Sequence, residues 1–333
     1  PKILRMTLGL EPALQPDADP ASITSKAKLW ELLAESMDRV AEMAHQSALG
    51  RDQLAARQPG GNLQASLVVQ DCIEKGLGYT QGGARYNFCN WDVIGVANLT
   101  DSLTVLQRVV FDEHFLTMGA FVDLLARDWE NGEPFRQRVL SETPHFGNDE
   151  TGCDETAARV IETFSAIIKR RTPFRGGEYI LGTTAGGENM HVEFGRVTGA
   201  TPDGRKKGEV LSDSMGAAQG RDRLGITALL NSVARLPHHL LPTATTLNVK
   251  LDPHVLETED GVAKVAAMIH SHFTSGGQQV QFNLVTRDML LEAKKHPAEY
   301  PDLMVRVAGY CAPFTALWDD LQDEIIARTA HCV

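Results

Sequence analysis

Apolar residues recur at helical spacing over residues 24–47, where Leu29, Leu32, Leu33, Met37, Val40 and Met43 form one stripe. Pro59-Gly60-Gly61 interrupts the pattern before a second apolar run at 63–69, so this region is predicted to be mainly helix. Ahead of it, Leu4, Met6, Leu8 and Leu10 alternate as in a strand. Between Tyr79 and Ile94 glycine, asparagine and aromatic residues predict loop, and Leu99-Thr100-Asp101-Ser102 then reads as the cap of a helix reaching about Val110. Helical periodicity returns at 116–140 and 155–170, separated by the turn-forming Phe146-Gly147-Asn148-Asp149. Residues 174–220 carry glycine so often that only short strands and tight turns fit. Strand-like runs at 245–251 and 279–285 flank a helix predicted over 261–273, and this β-α-β order predicts an α/β fold.

Composition narrows the reading. A chain of 333 residues with 43% hydrophobic and 23% charged residues can bury a full core. The net charge of −11 is spread along the chain without a basic block, which argues against a nucleic acid partner. No run approaches the roughly 18 apolar residues of a membrane span, and Pro1-Lys2-Ile3-Leu4-Arg5 lacks the apolar core of a secretory signal. A soluble, cytoplasmic protein is expected. Cys72, Cys89, Cys153, Cys311 and Cys332 are odd in number and widely spaced, fitting neither a disulfide framework nor a zinc site. The His238-His239 pair lacks carboxylate or Cys neighbours at metal spacing and reads as solvated loop. Because the chain starts at Pro1 without Met, it reads as a fragment or a processed chain.

The most specific signal lies near the end, in Val305-Arg306-Val307-Ala308-Gly309-Tyr310 followed by Gln322-Asp323-Glu324-Ile325-Ile326-Ala327-Arg328-Thr329. A radical on a backbone Cα is stabilised when nitrogen and carbonyl flank one planar carbon, and a side chain would crowd that plane, so glycine suits the role. Taken alone, Gly309 equally serves a turn. Four further segments accompany it in order: Gly82-Gly83-Ala84-Arg85-Tyr86-Asn87, Gly95-Val96-Ala97-Asn98 with Asp101-Ser102-Leu103, Gly147-Asn148-Asp149, and Thr198-Gly199-Ala200-Thr201-Pro202-Asp203-Gly204-Arg205. Together they resemble the C-terminal half of glycyl radical enzymes of the pyruvate formate-lyase superfamily.

That resemblance implies part of a ten-stranded α/β barrel surrounded by helices. Residues 1–195 would belong to the barrel and 196–333 to a glycine radical domain. It implies no bound cofactor: a glycyl radical on Gly309 would be installed by a separate S-adenosylmethionine-dependent iron–sulfur activating enzyme. The other implied partners are a small-molecule substrate and a second subunit in a homodimer. In the family the glycyl radical takes hydrogen from a cysteine in a Gly-Cys-x-Glu-Pro type loop, and the thiyl radical then takes hydrogen from substrate. Cys72-Ile73-Glu74 has the Cys-x-Glu spacing but sits between Asp71 and Lys75-Gly76, so Cys72 reads as a structural helix cysteine. Cys153 lies where the family shows acidic turn residues. The thiyl cysteine is therefore expected upstream of Pro1.

The radical loop comprises Arg306, Val307, Ala308 and Tyr310 around Gly309, with Arg306 as a candidate brace because its planar fork suits carboxylate or carbonyl contacts. Loops 86–94 and 183–194 are the candidate substrate walls. Phe88, Trp91, Met190 and Val192 would form an apolar face, and Asn87, Asn90, Asn189 and His191 could orient polar groups; ordinary packing is the alternative for each. The expected function is anaerobic radical lyase chemistry, meaning dehydration, decarboxylation or another C–C or C–heteroatom cleavage. A fumarate-adding hydrocarbon succinate synthase and a non-catalytic paralogue are the alternatives. Gly309 is expected on a buried loop tip, facing a cavity walled by the strands at 245–251 and 279–285.

Overall fold

The computed structural model describes residues 19–58, 62–184, 189–307, 309–328 and 330–331. The strand-like alternation at 4–10, the Pro59-Gly60-Gly61 break, Ala308 and Cys332 lie outside the described residues.

The N-terminal stripe becomes α1 (Lys26–Arg57), started by the Ser25 hydroxyl, which accepts from the Lys28 N–H at 3.1 Å. Two short helices follow, α2 (Leu63–Val68) and α3 (Cys72–Lys75). The segment expected to be loop then contains a strand, β1 (Phe88–Asp92). The prediction missed it because β1 carries asparagine and aspartate on one face: Cys89 and Trp91 turn inward, while Phe88, Asn90 and Asp92 are exposed.

The next helix, α4 (Val96–Leu106), begins at Gly95, four residues earlier than the expected cap at Leu99, and continues as a π-helical turn over Gln107–Asp112. Asp101 lies inside it and is fully buried. Its carboxylate accepts the Phe146 N–H at 2.7 Å and meets His145 Nδ1 at 3.1 Å. It is thus a tertiary clasp and no cap. The periodicity at 116–140 divides into α5 (Met118–Ala126) and α6 (Glu133–Glu142), because Asp128, Trp129 and Asn131 take positive φ between them. Then come α7 (Thr151–Ile168), β2 (Glu178–Gly182), α8 (Met190–Val197) and α9 (Ile226–Ala234).

The predicted β-α-β unit is present as β3 (Asn248–Leu251), α10 (Glu259–Thr274) and β4 (Gln281–Leu284). The strands run parallel with Asn248 opposite Gln281 and Leu251 opposite Leu284. The chain ends with α11 (Arg287–Lys295), the hairpin strands β5 (Met304–Arg306) and β6 (Cys311–Pro313), α12 (Asp319–Ala327) and β7 (Ala330–His331). β1 pairs parallel with β2, a bridge between Thr183 and Thr245 carries that pair toward β3, and β7 joins β3 on the side away from β4. The result is an open arc of parallel strands backed by helices. Its core joins β1, β2 and β3 to α7 and α9, so residues on both sides of position 195 share one apolar cluster.

Family landmarks in the sequence turn out to be cross-braces. Asn148 accepts the Arg223 and Leu224 N–H groups at 2.7 and 3.0 Å and donates to the Arg221 carbonyl at 2.7 Å. Asn98 bridges Asp203 and the Ser212 N–H. The buried Arg205 donates to the carbonyls of Thr198, Gly199, Lys206 and Glu209, closing the C-terminal end of α8. His238 is half-buried and its Nε2 lies 2.8 Å from the Val233 carbonyl, which corrects the solvated-loop reading for that residue, while His239 is exposed.

Gly177, just before β2, takes φ +78°, and a Cβ there would lie 1.6 Å from the Asn87 carbonyl oxygen. Replacing it forces β1 and β2 apart. Gly177→Ala is expected to destabilise the fold by about 2–4 kcal/mol through left-handed strain plus overpacking. Urea denaturation checks this, and a loss below 1 kcal/mol, roughly the scale of an ordinary surface change, refutes it.

Candidate functional site

β5 and β6 pair antiparallel, with Met304 opposite Pro313, Val305 opposite Ala312 and Arg306 opposite Cys311. The Val307 N–H donates to the Tyr310 carbonyl at 2.9 Å, so the chain reverses tightly and places Gly309 at the tip with φ +84°. That left-handed conformation favours glycine over any residue with a Cβ. Val305, Val307 and Phe314 pack with Leu290 of α11, Leu321 and Ile325 of α12 and Val192 of α8. The apolar face of the hairpin is therefore buried.

Gly309 itself is exposed, and a Cβ built on it meets nothing within 4 Å. The expected burial of the glycine is not met within this chain, because the apolar residues face α11 and α12 while the tip projects away from them. None of the cavities described below is lined by Gly309.

Polar contacts from outside anchor the hairpin. Asn283 of β4 donates to the Arg306 carbonyl and accepts the Arg306 N–H, both at 2.6 Å. The Arg306 side chain donates from Nε to Gln281 Oε1 at 2.6 Å and from Nη1 to Cys311 Sγ at 3.4 Å, so its partners are a side-chain amide carbonyl, one of the two expected kinds, and a thiol sulfur. Asn189, buried at φ +50°, donates to the Tyr310 hydroxyl at 3.1 Å. Arg328 donates from Nη1 to the Val307 carbonyl at 3.1 Å.

Beneath the hairpin lies a buried cluster of charges. Glu324 and Arg328 meet in a two-armed pair, Nε to Oε1 at 3.0 Å and Nη2 to Oε2 at 2.8 Å. Burial alone would raise the Glu324 carboxyl, but the Arg328 charge and His191 outweigh it and hold it below the usual carboxylate range. His191 Nε2 stands 3.5 Å from Glu324 Oε1, at the limit of hydrogen-bonding reach. Asp213 lies 3.9 Å from Arg328 and also accepts from the Asn248 amide. Lys250 is buried beside them, donating to the Ile326 carbonyl at 3.1 Å. Burial, with the charges of Arg328 and Arg287, pushes its amine down to about 8.

The candidate substrate residues do not share one wall. Trp91 packs tilted against Tyr179, at 4.9 Å between ring centroids, and lines a groove of about 630 Å³ with Met190, Val40, Phe164 and Phe194. Phe88 stacks on Tyr86 at the open face. Val192 belongs to the hairpin core, and Asn189 and His191 reach the hairpin and its charge cluster. A second cavity, about 580 Å³, separates Asp320, Asp323 and Glu324 of α12 from Arg136, Arg205 and Arg221. On the open face of β1, Asn90 donates to Asp92 at 2.8 Å and accepts from Thr243 at 2.7 Å. Among the cysteines, Cys72, Cys89 and Cys153 are buried and Cys311 is exposed; burial first, then Asp101, drives the Cys153 thiol strongly up. Among the described residues no group of three or more His, Cys, Asp or Glu gathers to hold a metal, and no helix is long and apolar enough to cross a membrane.

Sequence reasoning quoted Glu324 and Arg328 within the terminal motif but gave them no task. Their spacing of four, from the last turn of α12 to the residue that ends it, was a legible ion-pair signal. The Val307 target was not legible, nor was the Asn283 clasp, since both join residues distant in sequence.

An open arc of parallel strands with a glycine-tipped hairpin docked beside it is the architecture of a glycyl radical enzyme. The chain belongs to the pyruvate formate lyase-like family, whose profile matches residues 11–193, and the glycine radical profile matches residues 211–315. A probable dehydratase, YbiW, of Escherichia coli K12 is 40% identical over 280 residues, covering 81% of this chain and 34% of that protein. Trans-4-hydroxy-L-proline dehydratase of Clostridioides difficile is 34% identical over 339 residues, covering 99% of this chain and 42% of that protein. The glycerol-bound B12-independent glycerol dehydratase of Clostridium butyricum superposes with a TM-score of 0.90 at 34% identity, covering 95% of this chain and 40% of that one. The chain thus spans between about a third and two-fifths of the length of these relatives.

Lys250 gives the site a pH signature. The unfolded lysine keeps its proton up to about 10.5, whereas the buried one loses it near 8, so between these values the unfolded state binds more protons and stability rises with pH. Relative to Lys250→Met, the wild type should gain about 3 kcal/mol over that interval. Denaturation of both proteins across the range checks it, and parallel pH profiles refute it.

Proposed function

We propose that this chain is the radical-bearing part of an anaerobic glycyl radical lyase acting on a small hydroxylated organic substrate. The observation that carries the reading is Gly309: a glycine at φ +84° on the tip of a hairpin whose strands are clasped by Asn283, Arg328 and Asn189. A backbone radical needs a residue without a side chain, held in a defined place, and this hairpin supplies both. Dehydration is favoured over hydrocarbon addition because relatives of similar sequence are named dehydratases and because the open face of β1 presents Asn90, Asp92 and Thr243 as hydrogen-bonding groups. The buried Asn189 Oδ1, beside Tyr310, has no partner among the described residues and is an acceptor that a hydroxyl could take.

In this reading an S-adenosylmethionine-dependent iron–sulfur activating enzyme removes one hydrogen atom from the Gly309 Cα. The glycyl radical takes hydrogen from a cysteine thiol, and the thiyl radical takes hydrogen from substrate. Cys72, Cys89 and Cys153 are buried, and Cys89 and Cys153 belong to a different apolar cluster from the hairpin, which supports a relay cysteine other than these. Residues 1–195 are assigned to the barrel and 196–333 to the glycine radical domain, working in the cytoplasm as a homodimer.

Electron paramagnetic resonance of the full-length protein, after anaerobic treatment with its activating enzyme and S-adenosylmethionine, tests the proposal. A doublet from the remaining Cα hydrogen is expected, and Gly309→Ala abolishes it together with turnover. A doublet that survives Gly309→Ala, or no signal from the wild type, overturns the reading.

A further inference from the structure

We infer that Arg328 is a positioning residue for the radical hairpin, fixing the main chain two residues before Gly309 through the Val307 carbonyl. The inference rests on the reading of Gly309 as the radical carrier. A hairpin with three pairs of facing residues is marginal by itself, so its tip takes its position from whatever holds the strands. Asn283 holds Arg306, on the outer side, and Asn189 holds the far end of the Tyr310 side chain. Arg328 bonds the main chain nearer to the glycine, at Val307.

The arginine is aimed with little freedom. Two of its nitrogens are occupied by both oxygens of Glu324, one helical turn earlier, and this fork leaves Nη1 pointing at the Val307 carbonyl. Glu324 accepts in turn from Gln219 at 3.3 Å, and His191 Nε2 packs 3.5 Å from it. Lys250 ties the carbonyl of Ile326, two residues before Arg328, to β3. The aim of Arg328 therefore derives from α8, β3 and α12 together.

Stability alone does not account for the arrangement. A buried ion pair gains little over apolar side chains of similar volume, since both partners lose their hydration. What an apolar pair cannot supply is a directed third N–H. Lysine cannot supply it either, because a single ammonium does not reproduce the planar fork that grips Glu324 and Val307 at once.

Hydrogen-atom transfer at Gly309 is sensitive to placement, and a shift of about 1 Å costs roughly a hundredfold. Releasing the Val307 carbonyl should therefore lower turnover per radical while leaving the glycine able to receive the radical. The test is carried out on activated full-length protein, counting spins by electron paramagnetic resonance and dividing turnover by that count. Arg328→Ala is expected to keep its doublet and lose about a hundredfold in turnover per radical, with partial, saturable rescue by added guanidinium ion. Arg328→Lys, the fallback should the alanine variant fail to fold, is expected to lose at least about tenfold, because the bond to Val307 is not remade. Turnover per radical within about twofold of wild type in either folded variant, on the scale of the smallest effects of such bonds, overturns the inference alone. Absence of any wild-type radical overturns the Gly309 reading and this inference with it.

Discussion

A carboxylate and a guanidinium shut away from water stay ionised only beside each other, and this constraint shapes the C-terminal third of the molecule. Glu324 and Arg328 are both buried, and each oxygen of the acid meets a nitrogen of the base. Satisfying that pair brings α12 against α8 through His191 and against the hairpin through Val307. Asp213 lies within 3.9 Å of Arg328, and Lys250, beside the like charges of Arg328 and Arg287, donates to the Ile326 carbonyl. The hairpin rests on this cluster by hydrogen bonds and on α11 and α12 by apolar packing.

The remainder of the chain makes such a platform rigid. Parallel strands cannot be joined by tight turns, so β3 and β4 require a crossover, and α10 supplies it. The position of β4 sets that of Asn283, which grips Arg306 on both of its main-chain polar groups. Long-range clasps elsewhere follow the same rule of burying a polar side chain only where backbone groups await it. Asp101 at Phe146 and His145 and Asn148 at Arg221 to Leu224 tie segments dozens of residues apart, and Arg205 closes the end of α8 locally.

Much of the fold was legible in local pattern. Repeating apolar positions gave α1, α7 and α10 within a few residues at their cores, and the runs at 245–251 and 279–285 contain β3 and β4. Those patterns report burial on one face, which period alone encodes. β1 escaped because Asn90 and Asp92 on its open face erase the apolar run, and the cap expected at Leu99 failed because Asp101 serves a partner more than forty residues away.

The candidate site divides in the same way. The sequence by itself determined that Gly309 sits in a glycine-requiring turn, since Gly309 adopts φ +84° there, and that Glu324 and Arg328 stand four residues apart with opposite charges. Only the tertiary structure decided what those residues touch. That Arg328 holds Val307, that Asn189 holds Tyr310, that His191 stands against Glu324 and that Trp91 and Val192 line different spaces are matters of distant segments meeting. Contact between remote residues depends on the orientation of whole elements. A local pattern carries periodicity and charge, and it holds no information on which carbonyl a buried guanidinium will find.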